Sequence, residues 1–406
     1  VGVKAVLFIS SVLGMIGMYL LTRGWGRLPA ILSSLSFALL PYAAVNIYVR
    51  GAYAEYLSMA LLPWVFYVWR DLGSMRRRLL AGLVTTLFLL SHNLIPLITS
   101  PFLLVWIIMH HRLNFKLLMV PIVTTLLVSS FYLLPLLFER HFVMADTVAR
   151  TTAYAKHFVA PSQLWNSLWG YGGSGEGIED GMSFKIGKLQ LLLSAIATLI
   201  IFIKKRRSEL FWVISLVISI FMATSYSKFI WQSLPFLSLV QFPWRYLALA
   251  GFFTSILAGY SLTLIKPLPI QVLVFSFLLS ATLNLNLKLF TPQTTYPAKL
   301  EDFTAEPYLD TLPSIIPEYR PVWLDTQNTT FTDTELLPYI YYPTWQVRVD
   351  GKRVAIYPGV GGQLAFSNPT HSSDVVAKQG HTLLENIATV LSLISLIIAI
   401  KLYVKN

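Results

Sequence analysis

Tyr48 to Trp64 reads YVRGAYAEYLSMALLPW, which sets Arg50 and Glu55 five residues apart between two hydrophobic runs, each long enough to enter a bilayer. Charge is costly inside a membrane and cheap at its boundary, so this stretch marks a turn at the surface. Two readings of the pair stand side by side. It is either a functional pair at the mouth of a site or two solvated loop residues. Outward from this turn the composition fixes the class. The 406 residues are 55% hydrophobic and 12% charged, and the mean hydropathy is +0.62. Such a chain cannot hide its apolar surface in a soluble core, so it is an integral membrane protein. Its net charge of +12 is the excess of lysine and arginine that cytoplasmic loops retain, and there is no nucleic-acid signature. Zero cysteines exclude disulfides, thiolate metal sites and cysteine nucleophiles.

By the criterion of roughly twenty apolar residues per span, the chain reads as about eleven transmembrane helices. They run Lys4 to Leu21, Leu28 to Tyr48, Tyr56 to Trp69, Leu79 to Leu90, Leu94 to Met109, Leu117 to Phe138, Leu189 to Ile203, Leu210 to Ala223, Tyr246 to Ile265, Leu268 to Leu287 and Leu383 to Ile400. Basic clusters at Arg23 with Arg27, Arg76 to Arg78, Arg112 with Lys116, Lys204 to Arg207, Lys266, and Lys401 with Lys405 alternate with these segments and fall on one side, which the positive-inside rule makes cytoplasmic. The chain is then a multi-pass cell-membrane protein with an external N-terminal end and a cytoplasmic C-terminus. Residues 1–288 form the membrane domain, with an external loop over 139–188. Residues 289–381 form an external Pro-rich segment and small antiparallel β domain, and residues 382–406 the last helix and a short tail. Val1 is not a methionine and an apolar run begins by Ala5, so the expectation is that the natural amino terminus lies upstream.

Several external residues carry chemistry. Ser91-His92-Asn93 joins two short helices; His92 is either a ligand or base, or a cap for a helix end. In the loop LWGYGGSGEGIEDGMSFKIG the glycines give a flexible, turn-rich surface. Glu176, Glu179 and Asp180 are a candidate divalent-metal or acid–base cluster there, against a solvated acidic loop. In QFPWRYL, Trp244 and Arg245 stand at interface depth. The guanidinium suits bidentate contact with a phosphate, the alternative being interfacial anchoring. Period-two alternation predicts strands at Thr334 to Tyr342, Gln363 to Ser367 and Asp374 to Lys378, and a hairpin over TWQVRVDGKRVAIYP, with Asp350-Gly351 as a type I′ turn and Val354 and Ile356 on the return. Trp345 and its neighbouring tyrosines either bind carbohydrate or pack, and packing is the reading for aromatics on strands. Asn328-Thr329-Thr330 is a glycosylation sequon.

RGAYAEYLSMALLPW, LSHN, LWGYGGSGEGIEDGMSFKIG, QFPWRYL and YYPTWQVRVDGKRV, in this order, resemble the prokaryotic polytopic membrane proteins labelled 6-pyruvoyl-tetrahydropterin-synthase-related, which also look like the larger YfhO-type proteins. The likeness runs from about Tyr19 to the carboxyl end. A pterin synthase needs a zinc-binding histidine set, and the seven histidines here lack that spacing. The resemblance implies a GT-C-like architecture that transfers sugar from a polyprenyl-phosphate-linked donor to a carbohydrate, lipid or protein acceptor on the external face. It places the catalytic aspartate upstream of Val1, so no catalytic residue is assigned here. Arg50 and Arg245 would take the phosphate, Glu55 would orient Arg50, and His92, Asn93 and Trp244 would line the cavity. The alternatives are a noncatalytic membrane scaffold and a lipid or polysaccharide transporter in cell-surface polymer assembly.

Overall fold

The computed structural model describes residues 2–145, 147–148, 154–178, 180–297, 299, 319–325 and 334–405. Glu179 and the sequon at Asn328 lie outside them. The chain is mainly helical and divides into two compact units. One comprises Val1–Thr125, Ala153–Tyr296 and Ala399–Asn406, and the other Leu126–Thr152 and Pro297–Ile398.

The principal helices are α1 (Gly2–Thr22), α2 (Arg27–Ala38), α3 (Tyr53–Val68), α4 (Met75–Ser91), α5 (Leu94–His111), α6 (Phe115–Val128), α7 (Ser130–Phe138), α8 (Lys188–Ile203), α9 (Leu210–Ala223), α10 (Leu247–Ser261), α11 (Leu268–Asn286) and α12 (Leu383–Lys405). All eleven apolar runs read from the sequence are helical. Among the described residues six helices are long and apolar enough to cross a membrane, namely Gly2–Trp25, Arg27–Val49, Leu94–His111, Pro243–Leu264, Leu268–Leu289 and Leu383–Lys405, and a seventh is reached if α6 and α7, consecutive across a bend, form one span. The higher count came from runs whose helices are short. Helices α3 and α8 have 16 residues and α9 has 14. At about 1.5 Å per residue these fall short of a hydrocarbon core of about 30 Å.

In the first unit α10 is the centre. Every residue from Leu247 to Ser261 is buried, which is what a helix apolar on all faces requires. Helix α2 packs along one side of it, α8 and α9 along others, while α1 lies against α2 and α3. The α2–α10 contact is close because Gly259 has no side chain. A Cβ there would stand 2.0 Å from Ser33 Oγ and 2.4 Å from the Pro29 carbonyl oxygen. Several helix hydroxyls return to carbonyls one turn back, as Thr22 does to Met18 at 2.7 Å and Thr254 to Ala250 at 2.6 Å, whereas the hydroxyls of Ser33, Ser36 and Ser58 are buried with no hydrogen-bond partner among the described residues.

In the second unit two three-stranded antiparallel sheets share a small core of Val347, Val349, Leu364 and Phe366. Taking β1 (Thr334–Ile340), β2 (Trp345–Val349), β3 (Lys352–Arg353), β4 (Ile356–Pro358), β5 (Gln363–Ser367) and β6 (Val375–Gln379), the orders are β1-β5-β4 and β3-β2-β6. Asp350 and Gly351 have φ of +50° and +75°, the type I′ turn the sequence predicts. The return strand is shorter than predicted. It ends at Arg353, and Ile356 to Pro358 cross to pair with β5 instead. Trp345 stacks on Tyr339 and donates its indole N–H to the Ile340 carbonyl at 3.0 Å, so it packs within the strands. Helix α12 opens on a capping box in which Thr382 N donates to Glu385 Oε2 at 2.8 Å and Glu385 N to Thr382 Oγ1 at 3.0 Å.

Candidate functional site

The link from α2 to α3 is shaped so that four polar side chains meet. Pro41 starts a short helical turn, Pro41–Ala44, which widens into a π turn over Val45–Val49. Arg50 N then bonds Val45 O at 2.9 Å, and Ala52 N bonds Asn46 O at 2.8 Å. Gly51 takes φ +62°, a left-handed conformation in which an L side chain is strained. That reversal brings Glu55, in the first turn of α3, back beside Tyr42, Asn46 and Arg50. Gly51→Ala is expected to cost about 1 kcal/mol through backbone strain alone, since nothing lies within 4 Å of a Cβ there. Thermal unfolding in detergent checks this against Gly24→Ala, an equally open glycine without positive φ. Equal midpoints for the two variants would contradict it.

Glu55 is 1% exposed. Its Oε2 lies 2.9 Å from Arg50 Nη1, 3.7 Å from Arg245 Nε and 3.9 Å from His92 Nε2. Its Oε1 accepts from the Tyr42 hydroxyl at 2.5 Å and from Asn46 Nδ2 at 3.4 Å. Arg50 Nη1 also donates to Asn46 Oδ1 at 2.5 Å. Arg245 Nη1 donates to the Val240 carbonyl at 2.5 Å and to Gln241 Oε1 at 3.2 Å. The Trp244 ring lies 4.4 Å from the Arg50 guanidinium and 5.8 Å from that of Arg245, and Phe242 stacks on it at 4.9 Å.

His92 caps a helix end and also faces Glu55. Nδ1 accepts from the N–H groups of Leu94 and Ile95 at 3.1 and 3.2 Å, capping α5. Nε2 therefore carries the proton and faces Glu55. Burial, opposed by the Glu55 carboxylate, pushes the imidazole below the usual histidine range, so it is neutral at pH 7. Among the described residues the guanidiniums of Arg50 and Arg245 both converge on the carboxylate of Glu55.

The glycine-rich segment reaches the cluster through Trp244, whose indole N–H donates to Ser174 Oγ at 3.1 Å. Ser174 lies 2.9 Å from His157 Nδ1. Burial pushes the His157 imidazole below the usual histidine range. The segment is held together rather than loose. Gly172 N bonds Gly181 O at 2.8 Å and Gly181 N bonds Gly173 O at 2.9 Å, and a Cβ on Gly170 would stand 2.4 Å from the Gly181 carbonyl oxygen. The glycines expected to give flexibility serve this close crossing. Asp180 accepts from Gly175 N at 2.8 Å and Gln163 Nε2 at 2.6 Å, while Glu176 pairs with Lys156 at 3.4 Å. These two carboxylates thus have separate protein partners, and among the described residues no three His, Asp or Glu side chains gather as a metal group.

The cluster and the helices that position it all lie within residues 1–284. The family of the 6-pyruvoyl-tetrahydropterin synthase related domain, a membrane protein family, matches that same stretch. The chain belongs to this family. No curated protein and no solved structure matches it. In this member of the 6-pyruvoyl-tetrahydropterin synthase related family, five residues singled out in the sequence come together, namely Arg50, Glu55, His92, Trp244 and Arg245. Asn93 stands exposed at the turn before α5. Tyr42, Asn46, Gln241, Ser174 and His157 were not foreseen. Tyr42 and Asn46 carried a signal, being polar residues eight and four positions before Arg50 in an otherwise apolar run.

Proposed function

We propose that this chain binds the phosphate of a polyprenyl-phosphate-linked sugar through Arg50 and Arg245, as part of a GT-C-type, YfhO-like membrane glycosyltransferase. The observation that carries this reading is the convergence of two guanidiniums, those of Arg50 and Arg245, at buried Glu55. Paired guanidiniums are suited to the planar, bidentate recognition of a phosphate. Glu55 holds both arginines in place, Trp244 covers them, and His92 and Asn93 line the approach. The acceptor is a carbohydrate, lipid or protein on the external side, where a topology with the basic clusters and the C-terminus cytoplasmic would put the cluster. A carboxylate deprotonates the acceptor hydroxyl while the arginines stabilise the leaving phosphate. No residue of this chain is assigned as that base.

The test is transfer of labelled sugar from polyprenyl phosphate by the purified protein. Arg50→Ala and Arg245→Ala are each expected to lower the rate about 100-fold, the effect of removing one preorganised charge-stabilising donor. Variants matching wild type would overturn the assignment. A second reading has its own observation, that both guanidiniums already have protein acceptors. In a noncatalytic scaffold the cluster would be a structural tie, and the same variants would lose stability while wild type transferred nothing.

A further inference from the structure

A second group of cations lies near the cluster. Lys185 Nζ is 5.9 Å from the Trp169 ring and Lys188 Nζ is 5.7 Å from the Trp165 ring, both within cation–π range. Trp169 packs edge-on against Tyr171, whose hydroxyl donates to the Thr291 carbonyl at 2.8 Å, and Thr291 Oγ1 donates back to Lys288 O at 3.2 Å. These contacts bring the turn holding Lys288 to the segment holding the other two lysines. Burial and then the repulsion of Lys288 and Lys188 push the Lys185 ammonium below the usual lysine range. Among the described residues none of the three forms an ion pair with a carboxylate. Like charges are thus gathered at one place with no carboxylate paired to them among the described residues.

The location selects the kind of anion. Lys188 opens α8, an apolar helix whose far end carries Lys204, Lys205, Arg206 and Arg207. Lys288 follows α11. Lys288 therefore stands at one end of a candidate membrane span, Leu268–Leu289, and the contacts above hold the segment of Lys185 and Lys188 beside it. Leu168 beside Trp169 is 85% exposed and Trp165 is also exposed. Apolar and indole side chains at that level enter a lipid interface, a use they would not have against a soluble acidic polymer. Phe184, next to Lys185, packs against Trp244, and Phe290, two residues past Lys288, packs against Tyr48. The lysines thus adjoin the cover of the arginine pair.

We propose that Lys185, Lys188 and Lys288, with Trp165 and Trp169, bind the phosphate-bearing headgroup of an anionic membrane lipid. The site stands on its own contacts and does not depend on the sugar-transfer reading. Its test is the acetylation rate of each lysine, read by peptide mass spectrometry in full-length protein reconstituted into vesicles. One set of vesicles is phosphatidylcholine alone and the other contains phosphatidylglycerol.

Phosphatidylglycerol is expected to slow Lys185, Lys188 and Lys288 by about fivefold more than Lys156 and Lys228, which share the general surface potential; this corresponds to about 1 kcal/mol per lysine near an anionic surface. Trp165→Ala should halve that protection roughly, by loss of the ring beneath Lys188, and Arg50→Gln should leave it in place. Equal slowing of all five lysines overturns the proposal. So does equal protection by soluble glycerol phosphate in neutral vesicles, which would make the ligand a free anion. A wild type that transfers no sugar but shows the protection would count against the Arg50 and Arg245 reading and leave the lipid site standing.

Discussion

Glu55→Gln is expected to destabilise the folded protein by about 3–5 kcal/mol, the cost of removing one partner from a buried ion pair. The glutamine is the right size, and its carbonyl can still accept from Tyr42. What it removes is the negative charge that lies 2.9 Å from Arg50 Nη1 and 3.7 Å from Arg245 Nε. Two guanidiniums would then face each other in a site where the carboxylate was 1% exposed, with less water to screen their repulsion than at the surface. Because the arginines reach the cluster from different parts of the chain, the repulsion would pry the π turn away from the start of α10. Thermal unfolding of the purified protein in detergent measures the loss. Glu55→Gln with Arg245→Gln should recover part of it, since the second change removes the stray charge, and that recovery separates charge from packing. A midpoint within a degree of wild type for Glu55→Gln would show that the pair contributes nothing to the fold.

Gly259→Val should also be severe, by about 3 kcal/mol or more, at the upper end of what overpacking a core costs. The first added carbon would stand 2.4 Å from the Pro29 carbonyl oxygen, and this neighbour is backbone. A side chain can rotate away, whereas α2 can only move as a rod. Its displacement would be felt at the site, since α2 feeds the turn that carries Tyr42, Asn46 and Arg50. Gly251→Ala is the comparison. A Cβ there meets the Leu40 side chain at 2.8 Å, which can shift, so its loss should be smaller. The unfolding midpoints of the two variants decide this, and a Gly259→Val protein as stable as Gly251→Ala would refute the close packing of α2 on α10.

Much of the site was legible in the sequence because charge between apolar runs is costly wherever it is not used. Arg50, Glu55, His92 and Arg245 stood out at helix ends for that reason. Tyr42 and Asn46 did not, because the π turn that aligns them with Arg50 has no composition of its own. The span count was overread because hydropathy registers an apolar run whether its helix has 14 residues, as α9 does, or 23, as α12 does. The glycine-rich segment was misread as flexible because glycine permits both mobility and close approach, and only the crossing of Gly170 past Gly181 distinguishes them. Asp350-Gly351 was read correctly because a type I′ turn is specified locally by those two residues.

The central claim is that the arginine pair at Glu55 is there to take a phosphate, and binding tests it more directly than activity. Equilibrium binding of a polyprenyl phosphate should be measured for wild type, Arg50→Gln and Arg245→Gln in the same detergent, each shown to be folded by its unfolding transition. Saturable binding by wild type is expected, weakened at least about tenfold in each variant, since losing a charge-assisted contact to phosphate is worth about 1.5–3 kcal/mol. Equal affinity in all three folded proteins, or no saturable binding by wild type, would contradict the account.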